Sequence, residues 1–103
     1  MLVSKAARRY ATALFELAKE QDAIEQTLKD VLFIKNTIRD SRELLVFLKS
    51  PVVKPDKKAA VLQEIFGDKI GELVHKFVML IARKNRQNML HEIVEAYVEK
   101  HNQ

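Results

Sequence analysis

Apolar residues recur at i, i+3, i+4 and i+7 along most of this chain, the spacing of helices that bury one face. The pattern is densest in the second half. There Ile70, Leu73, Val74, Phe77, Val78 and Ile81 share one stripe, and Met79, Leu80 and Ala82 lie beside it. A helix that is apolar over so much of its circumference must be covered on most sides. It is either the central core helix or a helix with part of its surface awaiting a partner. Asp68 is the expected cap at its start.

The other elements follow in order. Ser4 is a plausible N-cap for a first helix running to about Gln21. Val3, Ala7, Tyr10, Leu14, Leu17 and Ala18 form its stripe, widened by Ala6 and Ala13 on one flank and by Ala11 and Phe15 on the other. That arc exceeds what one neighbour requires, and the alanines permit close approach of another helix. Asp22-Ala23-Ile24-Glu25 reads as a capping box opening a second helix with Ile24, Leu28, Val31, Leu32, Ile34 and Ile38. Asp40-Ser41-Arg42-Glu43 caps a short third helix, Leu44 to Leu48, which Pro51 ends. Pro55 suits the first position of a fourth helix carrying Ala59, Leu62, Ile65 and Phe66, and Gly67 is expected to close it in the left-handed conformation. Asn85 to Asn88 is a polar break before a last helix with Leu90, Ile93, Val94, Tyr97 and Val98. No alternating run argues for a strand. The expected fold is all-α, a compact bundle of six helices with short connections.

Composition narrows the picture. A chain of 103 residues allows one domain, and 48% hydrophobic with 31% charged residues is the balance of a globular chain. Two glycines and two prolines leave little turn material, and the lack of cysteine excludes a disulfide framework or thiolate metal site. The longest apolar run, Phe77 to Ala82, is far short of the ~20 residues that cross a bilayer, so no direct membrane insertion is expected. A net charge of +4 permits an acidic partner without demanding one.

Catalytic patterns are wanting. His91-Glu92-Ile93-Val94-Glu95 misses the zinc-protease pattern because Glu95 stands where the second histidine ligand is needed. Gly67 and Gly71 do not make a phosphate loop, and Ser4, Ser41 and Ser50 have no nearby base. No metal or cofactor is expected. Arg83-Lys84-Asn85-Arg86 could contact phosphates, with steep salt dependence, or could simply place cations at a helix C-terminus. A basic helical nucleic-acid module is therefore the alternative class.

Three blocks point to a family. Arg8-Arg9-Tyr10-Ala11-Thr12-Ala13-Leu14-Phe15-Glu16-Leu17-Ala18 resembles the opening R-x-Y-A-x-A-L-F-x-x-A of the delta subunit of F-type ATP synthases, the oligomycin-sensitivity-conferring protein of mitochondria. Leu48-Lys49-Ser50-Pro51, followed by Lys57-Lys58, is similar to the family's L-x-x-P turn with its downstream lysine. Phe77 to Arg86 resembles its apolar helix ending in N-x-R or N-G-R. The blocks fall in family order and span essentially the whole chain.

The resemblance implies a six-helix N-terminal domain on top of the catalytic head. It implies a non-catalytic stator role: an apolar groove between the first and fifth helices receives the N-terminal helix of an alpha subunit and helps resist rotor torque. Carried onto this sequence, Ala6, Tyr10, Ala13 and Leu17 form one wall and Leu73, Phe77 and Leu80 the other, with Lys76 and Lys84 available to acidic residues of the incoming helix. Tyr10, Leu17 and Phe77 have bundle core as their alternative reading, whereas Ala13 and Leu80 lie off the main buried stripe. Family members continue into a second domain that holds the paired b-subunit stalk, so b-subunit contact is expected only through that part, which is absent here. The implied location is peripheral, on the cytoplasmic face of the bacterial cell membrane. Neither nucleic acid nor cofactor belongs to this picture.

Overall fold

Local rules set three of the helix starts. The computed structural model describes residues 3–103. Ser4 accepts the backbone N–H of Ala7 at 3.2 Å and opens α1, Lys5–Glu20. Ser41 does the same for α3, Arg42–Lys49, by accepting the Leu44 N–H at 3.2 Å. Pro55 is the first residue of α4, Pro55–Phe66, where its missing N–H leaves nothing unsatisfied.

Three expected caps are replaced by other devices. Asp22 does not cap α2, Ile24–Arg39, which starts on Ala23 without a side-chain bond. Instead Asp22 adopts a positive φ of 53° and closes α1. The Ala23 N–H reaches Ala18 O at 2.8 Å and the Asp22 N–H reaches Lys19 O at 3.2 Å, the paired bonds of a Schellman motif. Gly67 is right-handed (φ −51°, ψ −44°), so it does not close α4 in the left-handed conformation. Asp68 does not cap α5, which spans Glu72–Arg83 and has Gly71 as its N-cap. Ile70 falls in the preceding turn. The helix starts late because Asp30 of α2, itself buried, takes the Gly71 N–H on Oδ2 at 2.8 Å while Gln26 donates to Oδ1 at 2.9 Å. A carboxylate there also meets the positive end of the helix dipole. Glycine keeps this approach uncrowded, since a Cβ would lie 3.1 Å from Asp30 Oδ2.

A second Schellman motif ends α5. Asn85 takes φ 57°, with the Arg86 N–H on Ile81 O at 2.9 Å and the Asn85 N–H on Ala82 O at 3.0 Å. A short 3-10 turn, Gln87–Met89, leads into α6, Leu90–His101. The break at 85–88 is not uniformly polar surface: Gln87 is buried, and neither its side-chain oxygen nor its nitrogen has a partner among the described residues.

The described residues thus form six α-helices. α6 packs most extensively on α1 and also on α2, while α4 packs on α5. Leu14, Ile34, Leu62, Phe66, Ile81, Leu90, Ile93 and Tyr97 are buried in one core. Phe33 of α2 meets Phe66 of α4 edge-on, ring centres 5.8 Å apart. Lys58 is also buried, and its Nζ donates to Leu48 O at 2.9 Å, tying α4 to the C-terminal end of α3. This supplies a physical role for the lysine downstream of the Leu48–Pro51 turn. Among the described residues no helix is long and apolar enough to cross a membrane.

Candidate protein-docking face

α1 and α5 each have one flank covered and one left open. Buried Ala7, Ala11, Leu14 and Ala18 mark the centre of the inward face of α1. On one side of that line α6 closes the helix: Phe15 lies 5.9 Å from the Tyr97 ring and Arg8 pairs with Glu99 at 3.5 Å. The Ser4 N–H is also held from α6, by Glu92 at 2.8 Å. On the other side, a quarter-turn away at about 100° per residue, lie Ala6, Tyr10, Ala13 and Leu17. Ala6 and Tyr10 are half-buried and Ala13 is exposed. Leu17 is 39% exposed, although the stripe pattern gave it to the buried face.

α5 repeats the arrangement. Val74, Val78, Ile81 and Ala82 point inward with Phe77. α4 covers the flank of His75, Met79 and Ala82: His75 Nε2 is hydrogen-bonded to Gln63 Oε1, and Ala59 shares a hollow with Met79 and Ala82. The opposite flank carries Leu73, Lys76, Leu80 and Lys84. Leu73 is half-buried, Leu80 is 37% exposed, and both lysines are exposed.

α1 and α5 touch one another over a short stretch, and Leu14 of α1, with Val74 and Phe77 of α5, lines one small interior void. Phe77 is therefore core, only 7% exposed, rather than a free wall. Lys76 Nζ is 2.8 Å from the Glu72 carboxylate one turn earlier. The hydrogen bond and charge of each partner hold the Glu72 carboxyl below its ordinary value and the Lys76 ammonium above its own. Lys84 has no ion pair among the described residues and stands as C-cap of α5, beside exposed Arg83 and Arg86.

Elsewhere the chemistry is sparse. His91 and Glu95 line a hollow beside α2 and α3, where Glu95 meets Lys35 at 3.7 Å. Burial, and secondarily the charge of Lys49, push the His91 pKa down. No group of three or more His, Asp or Glu is placed to hold a metal ion among the described residues. Sequence periodicity did not point to the α2–α3–α6 hollow, because it is made by three helices whose crossing no local pattern encodes.

A family model described as ATP synthase delta (OSCP) subunit matches residues 6–103. The ATP synthase subunit delta of Chlorobium phaeobacteroides is 44% identical over 92 residues, 89% of this chain and 51% of its own length. That of Chloroherpeton thalassium is 38% identical over 95 residues, 92% of this chain and 52% of its own. That of Pelodictyon phaeoclathratiforme is 40% identical over 92 residues, 89% and 52%. The chain spans about half the length of these curated relatives.

Proposed function

The chain belongs to the ATP synthase delta (OSCP) subunit family, and we propose that it serves as a non-catalytic stator element that receives the N-terminal helix of an alpha subunit on the open flanks of α1 and α5. The observation that carries this reading is the pair Leu17 and Leu80: large apolar side chains left exposed on touching helices whose other flanks are closed. Ala6 and Ala13 let a helix backbone come close, Tyr10 and Leu73 add half-buried apolar walls, and Phe77 is the floor. Lys84 and Lys76 border the α5 side, Lys84 being the freer cation because Lys76 is shared with Glu72.

The work required is mechanical. The catalytic head must be held against the torque of the rotor, or rotation would carry the head along. A helix seated by anchors at i, i+3, i+4 and i+7 is fixed in register as well as bound. About four anchors at ~1.5–3 kcal/mol each give a gross gain of roughly 6–12 kcal/mol. Association costs reduce it, and micromolar binding corresponds to about −8 kcal/mol. Contact with the b-subunit stalk falls, in this reading, to the half of the relatives' length that this chain does not span, and the assembly lies at the cytoplasmic face of the bacterial membrane.

Calorimetric titration with a peptide of the alpha subunit's N-terminal helix tests the proposal. Binding is expected to survive moderate salt and to be abolished by Ala13→Trp, which fills the approach between helices. Unchanged affinity of Ala13→Trp, with the fold intact, would overturn it.

A further inference from the structure

A second face of the bundle lies away from α1 and α5. α2, α3 and α6 enclose a concavity of about 270 Å³. Its floor is apolar, from Ile38, Leu45 and Val94; Lys35, Arg39 and Arg42 supply three cations, and His91 and Glu95 complete the lining. The rim charges are not equivalent. Lys35 is occupied by Glu95 at 3.7 Å, and Arg39 engages Asp40 through Nε alone at 3.3 Å. Arg42 has neither an ion pair nor a side-chain hydrogen bond among the described residues, and it also borders the two open hollows next door. The charge left uncompensated at this rim is therefore a guanidinium fork.

A guanidinium presents parallel N–H donors that match a carboxylate in two bonds. An apolar floor within reach of that fork suits a tail, not a second charge. The volume, about 270 Å³, lies just below the ~300 Å³ at which ligand sites usually start, so the occupant must be small. We propose that this concavity binds a small free carboxylate with an apolar tail, of the medium-chain fatty acid class. The carboxylate sits on Arg42, and the tail lies on Ile38, Leu45 and Val94. None of these residues belongs to the α1–α5 face, so this site stands or falls independently of the stator reading.

The test is an NMR titration of the isotope-labelled chain with octanoate, with octanamide as the uncharged isostere and acetate as the tail-less anion. Octanoate is expected to give saturable shifts at the amides of Ile38, Arg42, Leu45 and Val94. Octanamide and acetate should each bind about tenfold more weakly or worse, and Arg42→Ala should lose about tenfold in affinity. Arg42→Lys keeps the charge without the fork and should fall between. Equal binding of octanamide, an unaffected Arg42→Lys, or shifts confined to other helices would overturn the proposal. So would an acidic amphipathic peptide that binds this face when octanoate does not.

Discussion

The two flanks of α1 share one helix, yet they end in different states. On one flank Phe15 packs on Tyr97 of α6, and the surface ion pair of Arg8 with Glu99 borders that contact. The flank of Ala6, Tyr10, Ala13 and Leu17 stops at solvent, with Leu17 left substantially exposed. Helical periodicity sets the width of the apolar arc, whereas the number of neighbours available sets how much of it is covered. A surplus of arc over neighbours is what a docking surface looks like from the sequence. α5 repeats the same imbalance, with α4 on one side and, on the other, Leu80 open beside half-buried Leu73.

That contrast makes predictions of graded size. The largest effect belongs to the sealed flank. Tyr97→Ala removes a fully buried ring, and should cost about 3–5 kcal/mol of stability in denaturant unfolding. An equal cost for an open-flank truncation would erase the distinction between the flanks. Next comes the bond that positions the open flank of α5. Asp30→Ala strips the Gly71 N–H of its buried acceptor and should cost about 1–3 kcal/mol. It should also weaken alpha-peptide binding by disturbing the start of α5. Leu17→Ser combined with Leu80→Ser should change stability by only about 1 kcal/mol or less, while peptide affinity falls by tenfold or more, about 1.4 kcal/mol.

The smallest effect is a pH dependence on the α6 side. Folding lowers the His91 pKa below its unfolded value of 6.5, chiefly through burial. The unfolded chain therefore takes up the proton first. The associated stability is present above pH 6.5 and is lost as pH falls through the lower folded value. His91→Gln should flatten the slope of unfolding free energy just below pH 6.5 relative to the parent, and an unchanged slope would remove His91 from the account.

Local chemistry made much of this legible. Ser4, Ser41 and Pro55 act through their immediate neighbours, and the structure has them where the sequence put them. Asp22 reads as the cap of the second helix but instead takes the left-handed close of the first, a position its short side chain also suits. Only the tight 22–23 link decides for the close. The start of α5 was not readable, since it depends on an aspartate 41 residues earlier. Gln87 looked like turn surface because burial of an amide is a property of the assembled bundle. On the candidate face, the excess width that singled out Ala13 and Leu80 corresponds to exposed side chains. Phe77 and Leu17 moved in opposite directions, one into the core and one out of it, because the placement of α4 and α6 settles what periodicity leaves open.

The most direct test of the central claim is an NMR titration of this chain with the N-terminal helix peptide of the alpha subunit. The shifts are expected to concentrate on the amides around Tyr10, Ala13 and Leu17 in α1 and Leu73 and Leu80 in α5. Tight binding with shifts confined to α2, α3 and α6 would contradict it.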